Sequence, residues 1–179
     1  GQDELVFDGG SFIADKTGEI IVRGRQFEEE MIISEIVLGG LGQADKKHIS
    51  PRISSLKEEV YKALVIGTRD YVIKNDFKQA VIGLSGGLDS SLVAAIAVDA
   101  IGKENVTGIF MPSPYTSKES REDAYELSKN LGIKIIEAPI SNIFEAYRKN
   151  LRAEFKGLPD DKTEENLQAR IRGNILMAF

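Results

Sequence analysis

The chain has 179 residues, one histidine, no cysteine and a formal net charge of −5. Without thiols it forms no disulfide, builds no thiolate metal site and has no cysteine nucleophile. Its acidity argues against a surface that grips nucleic acid through phosphates, and its length suits one domain with room for an appendage. A chain of this size buries about 70% of its unfolded surface, so it needs no covalent staple. No basic segment leads into an apolar run near Gly1, so no secretory signal is expected. The apolar stretch around residue 89 carries Asp89 at its middle, which argues against a membrane span. A cytoplasmic globule is the expected class. Gly1-Gln2-Asp3 lacks an initiator methionine and "NLQARIRGNILMAF" stops inside a helical pattern without a cap, so a piece of a longer protein is expected.

Residues 5–7, 11–14 and 19–23 are short β-prone runs. The turn Asp15-Lys16-Thr17-Gly18 between the last two predicts a hairpin. Residues 39–54, "GGLGQADKKHISPRIS", mix glycine, charge and proline without periodicity and predict a linker. From Leu56 the pattern changes. Leu56, Val60, Ala63, Leu64 and Gly67, with Tyr71 a turn on, recur at helical spacing. Strands are then expected at Ala80–Leu84, Val106–Met111 and Ile133–Ile136. Helices are expected at 90–101, at Lys118–Asn130 with an end at Leu131-Gly132, at 142–155 and at 164–178. Strand and helix alternating at this spacing predict a parallel sheet flanked by helices, preceded by a short β-hairpin appendage.

Parallel sheets carry ligands at the carboxyl ends of their strands, where helix N-termini offer free N–H groups. "GLSGGLDS", residues 83–90, falls at that junction. Gly83-Leu84-Ser85-Gly86-Gly87 satisfies the G-x-S-x-G pattern of a nucleophile elbow. That chemistry needs an imidazole, and the single histidine, His48, lies upstream beside Lys46 and Lys47, as expected of a solvated loop. A P-loop needs Lys and Ser/Thr after its last glycine, whereas Leu88-Asp89 follows here; a dinucleotide fingerprint needs G-x-G-x-x-G, which Gly83, Gly86 and Gly87 do not give. A pyrophosphate pocket fits. Gly86 and Gly87 remove Cβ atoms so that backbone N–H groups close on phosphate oxygens, Ser85 and Ser90 add hydroxyls, and the following helix points its positive end at the anion. Asp89 repels phosphate unless a divalent cation bridges them, so it predicts Mg²⁺ held against ATP oxygens.

"SGGLDSS" resembles the signature of the PP-loop ATP-pyrophosphatase superfamily, with its adenine nucleotide alpha-hydrolase-like fold. Three further stretches resemble the glutamine-dependent NAD synthetase family within it. "VTGIFMPSPYTSKESREDAYELSKNLGI", residues 106–133, is similar to the family's second strand, Met-Pro-Ser loop and next helix. "ENLQARIRGNILMA", residues 165–178, is similar to its deamido-NAD and dimer helix, and "GQDELVFDGGSFIADKTGEIIVRGRQFEEE" to the closing strands of a nitrilase-like glutaminase domain. The resemblance implies three parts: residues 1–38 as the end of that domain, 39–54 as linker, and 55–179 as the first part of the synthetase domain. The implied reaction adenylates the nicotinate carboxylate of deamido-NAD at the expense of ATP, and ammonia, supplied by glutamine, then displaces AMP. By resemblance Gly83, Leu84, Ser85, Gly86, Gly87, Leu88, Asp89 and Ser90 contact ATP, with Leu84 and Leu88 contributing backbone. Asp89 matches the Mg²⁺ ligand, and Asn166 and Arg170 match positions that contact deamido-NAD. The resemblance further implies a homodimer or higher homo-oligomer, with neither nucleic acid nor membrane as partner. The family's glutaminase nucleophile is a cysteine, so that part would precede Gly1, and further ligands would follow Phe179. No residue of this chain is assigned a catalytic role, and the alternatives are another PP-loop amidating or thiolating ligase or a nucleotide-binding or dimerisation module inactive by itself.

Overall fold

A computed structural model describes residues 5–35, 48–53, 55–154 and 161–179, with His48 described by its backbone alone. The chain divides into two compact units, Gly1–Tyr71 and Val72–Phe179.

In the first unit β1 (Phe12–Ala14) and β2 (Ile20–Arg23) pair antiparallel, and β3 (His48–Ile49) lies parallel to β2, with Val22 opposite His48. The hairpin turn is closed by the Asp15 carboxylate. It accepts from the Thr17 and Glu19 N–H groups at 2.8 and 3.0 Å and from the Thr17 hydroxyl at 2.6 Å. Those donors hold the Asp15 carboxyl below its ordinary value. The expected strand over residues 5–7 does not form a ladder. Leu5 enters no more than a single bridge, and Val6 packs against helix α1 (Leu56–Lys74), 3.2 Å from where a Cβ on Gly67 would lie. Side-chain packing has displaced edge pairing. Of the expected linker, residues 39–47 and Ser54 lie outside the described residues; Ser50 and Ile53 are tied back to this unit by bonds to the Arg23 carbonyl and the Gln26 side chain.

The second unit is an alternating α/β layer structure. Parallel strands β4 (Ala80–Leu84), β5 (Val106–Phe110) and β6 (Lys134–Glu137) stand in that order, with Leu84 opposite Phe110 and Phe110 opposite Glu137. Helices α2 (Leu88–Ile101) and α3 (Lys118–Leu131) connect them, and α4 (Ser141–Leu151) and α5 (Lys162–Ala178) follow. The expected strand Ala80–Leu84 is matched at both ends and the other expected ends lie within four residues of those observed; the expected helix 142–155 stops at Leu151, and Phe155 lies outside the described residues.

The central strand explains the layering. Its side chains alternate, sending Val106 and Phe110 into a core with Leu84, Ala94, Ala97, Ala124 and Ile133. Ile109 and the following Met111 go to the other face, where they pack with Ile140, Phe144 and Ile171. Helices α2 and α3 therefore cover one face, and α4 and α5 the other. Ala94, Ala97 and Ala124 let the helices approach closely. Phe110 and Phe144 are fully buried, and each such side chain contributes about 2–3 kcal/mol of transfer free energy.

Candidate phosphate-binding site

The loop after β4 is shaped by one obligatory contact. Gly86 has φ +80°, and a Cβ there would stand 2.3 Å from the carbonyl oxygen of Ser120 in the first turn of α3. Any side chain at 86 meets both a disfavoured dihedral and a backbone wall. Ser120 is held in turn by the α3 cap, since its N–H donates to the Ser117 hydroxyl at 3.1 Å. The N-terminus of α3 thus forms the back of the loop. The spacing of the glycines says that small residues are needed there, but nothing local in the sequence points to Ser120 as the reason.

Ser85 and Ser90 cross-brace the bend. Their hydroxyls lie 3.0 Å apart, Ser90 donates to the Gly87 carbonyl at 3.0 Å, and Gly87 N–H donates to the Ser85 hydroxyl at 3.1 Å. With the Ser90 proton on Gly87, the Ser85 proton points to Ser90. Among the described residues the partners of Ser85 are Ser90 and the Gly87 N–H, and no base is among them, so none of these residues supplies the proton acceptor that a nucleophile elbow needs. Gly87 is the N-cap of α2 and supplies no side-chain cap. The N–H groups of Leu88, Asp89 and Ser90 therefore stand at an open helix end, where the dipole favours an anion.

The expected site residues are placed as follows. Leu84 is buried in the core, Gly83, Gly86 and Ser90 are half-buried, and Ser85, Gly87, Leu88 and Asp89 are exposed. Asp89 lies in the first turn of α2, and no group of three or more acidic or histidine ligands surrounds it among the described residues. One carboxylate with ligand oxygens and waters fits Mg²⁺, which keeps much of its hydration. Asn166 and Arg170 sit one turn apart on α5, both exposed, whereas Ile171 beside them is buried. Among the described residues no hydrogen bond or ion pair joins either to the loop.

Beside the loop is a cluster that no sequence motif marks, since Arg121, Tyr125 and Glu137 come from two different elements. Arg121 donates to Glu137 at 2.6 Å and Tyr125 donates to the same oxygen at 2.7 Å. The Arg121 guanidinium also lies 5.3 Å over the Phe110 ring. The two donors hold the Glu137 carboxyl below its ordinary value, and the carboxylate raises both Arg121 and Tyr125. Arg121 follows Ser120 directly, so this cluster ties the wall behind Gly86 to the ends of β5 and β6.

The comparisons agree with this geometry. A profile of the NAD synthase family matches residues 60–179. The chain belongs to the NAD synthase family. It is 49% identical to the glutamine-dependent NAD(+) synthetase of Thermotoga maritima and 49% identical to that of Synechocystis, each match covering 100% of this chain. The chain spans 36% and 32% of those relatives' lengths, about a third. The glutamine-dependent NAD⁺ synthetase of Acinetobacter baumannii, solved with adenosine diphosphate, superposes with a TM-score of 0.92 at 42% identity over 99% of this chain and 34% of its own. An NH3-dependent NAD synthetase from Campylobacter jejuni superposes at 0.61 with 28% identity over 70% of this chain and 52% of its own. The expected parallel-sheet fold preceded by a hairpin is therefore the fold observed. No described helix is long and apolar enough to cross a membrane.

Proposed function

We propose that this chain carries the nucleotide-binding part of an ATP-dependent, amide-forming ligase that converts deamido-NAD to NAD, with ammonia supplied by glutamine. The observation that carries the reading is the bend at Gly86, shaped against Ser120 and open to the N–H groups of Leu88, Asp89 and Ser90. Relatives named as glutamine-dependent NAD(+) synthetases, and a neighbour solved with ADP, support it. In this reading residues 1–38 close a nitrilase-like glutaminase domain, 39–54 are linker and 55–179 begin the synthetase domain. The protein works in the cytoplasm as a homodimer or higher oligomer.

The chemistry assigned to the chain's residues is charge management. Gly83–Ser90 receive the β- and γ-phosphates of ATP, with the N–H groups of Leu88, Asp89 and Ser90 as donors and the Ser85 and Ser90 hydroxyls bracing the bend from within. Hydrogen bonds to charged groups contribute about 1.5–3 kcal/mol each, so a few suffice to hold pyrophosphate while the nicotinate carboxylate attacks the α-phosphorus. Mg²⁺, when bound, neutralises the phosphate oxygens. Asp89 is its protein ligand, carrying a carboxylate into an otherwise anion-seeking cradle. Asn166 and Arg170 bind deamido-NAD, the guanidinium suiting a phosphate or carboxylate. The test is calorimetric. Asp89→Asn is expected to weaken ATP binding in Mg²⁺ much more than in EDTA, and equal losses in both would remove Asp89 as cation ligand. Because the chain spans about a third of its relatives, a second reading is a nucleotide-binding module inactive by itself, shown by ATP binding without pyrophosphate release.

A further inference from the structure

A cavity of about 740 Å³ opens beside the carboxyl end of β5, with Ser113, Tyr115 and Thr116 on one side and Glu165, Gln168 and Arg172 of α5 on the other. Its walls are fixed. Thr116 caps the turn by accepting the Ser113 N–H at 2.9 Å, and Tyr115 is set edge-on to buried Phe144. Gln168 is 7% exposed and Arg172 half-buried, one turn apart on the same face of α5. Of the three acids lining the cleft, Glu165 is exposed and the other two are engaged. Asp161 accepts the Thr163 N–H and Glu164 accepts the Asp161 N–H, each at 2.7 Å, in the capping box that starts α5.

Arg172 is the anomaly. Its Nε donates to the Met111 carbonyl at 3.2 Å, which uses one of five N–H donors. Among the described residues no carboxylate lies within ion-pair distance of it. Burial pushes this guanidinium below its ordinary value, and no anion offsets the shift. A cation partly removed from water without a counter-ion costs stability, and a neutral donor would serve the Met111 carbonyl as well.

We infer that this cleft is an oxyanion subsite in which the free fork of Arg172 takes a carboxylate or phosphate of a bound ligand, with the Gln168 amide beside it. The inference rests on the proposed function only for the choice of dinucleotide and ATP as ligands. The guanidinium fork matches either oxyanion bidentately, and the missing counter-ion is the ligand's own.

The test measures melting and calorimetric titration of the full chain, wild type beside Arg172→Gln and Arg172→Lys. Nicotinate and deamido-NAD form the carboxylate arm; inorganic pyrophosphate and ATP form the phosphate arm. Without ligand, R172Q is expected to melt no lower than wild type. Affinity in one arm is expected to fall about tenfold or more in R172Q, as for a lost charged hydrogen bond, and to recover in part in R172K. A lower melting temperature with all affinities unchanged would make Arg172 a tie to Met111 and overturn the subsite, as would no binding by the wild type in either arm. If Asp89→Asn leaves ATP binding untouched while R172Q weakens one arm, the subsite stands and the loop assignment falls.

Discussion

The two compact units are built on different principles. In Val72–Phe179 a central strand sends alternate residues to two cores, each closed by a pair of helices, and Ile109, Phe110, Ile140 and Phe144 are at most 1% exposed. In Gly1–Tyr71 the strands run two to four residues, and Ile21, Val22 and Val65 are the buried apolar side chains among the described residues. The first unit is held by turns and caps such as Asp15, the second by packing. Helix α1 shows the consequence, since Leu56 and Tyr71 share a helical apolar pattern yet are 74% and 66% exposed. A periodic pattern reports a capacity to bury a face; burial itself needs a partner layer.

The sharpest way to break this contrast is core truncation. Phe144→Ala should cost about 3–5 kcal/mol in denaturant unfolding of the second unit, whereas Met31→Ala, 89% exposed in the first unit, should stay within about 0.5 kcal/mol. Next come the glycines. Gly86→Ala meets both positive φ and the Ser120 backbone, and should cost about 2–4 kcal/mol along with nucleotide affinity. Gly18→Ala, at φ +86° with open space around it, should cost about 1–2 kcal/mol, the dihedral alone. Equal penalties would mean that Ser120 does not wall the loop.

Smaller effects come from caps and charges. Asp161→Ala removes the α5 capping box and should lower stability by about 1 kcal/mol. Glu137 has a depressed folded-state value, so its contribution is present above the ordinary glutamate value of about 4.3 and is lost as pH falls through the lower folded one. Acid unfolding of Glu137→Gln should accordingly show a shallower pH dependence in that window than wild type. Asp15 in the first unit carries the same sign, so Asp15→Asn provides the matched control there.

Much of the second unit is legible in the sequence because its signals are repeated. Three short apolar strands alternate with helices, and glycines, serines and one acid crowd the first junction. What is not legible is long-range. The pairing of His48–Ile49 with β2 involves two residues, too few for a period to appear. Residues 5–7 look like a strand because nothing local shows that α1 will take Val6. Ile171, Ile175, Leu176 and Phe179 read equally well as a partner-binding stripe; the structure buries Ile171 and half-buries Ile175 and Leu176 in the core with Ile109, leaving Phe179 of that stripe exposed, as is Met177. Arg172 looks like any helical charge until the fold places it in a cleft without a counter-ion.

All of this turns on whether the bend between β4 and α2 receives phosphate. The direct measurement is an amide NMR titration of the ¹⁵N-labelled chain with magnesium pyrophosphate. The account predicts saturable shifts at Gly86–Ser90 and at Ser120 behind them; shifts elsewhere, with those amides unmoved, would contradict it.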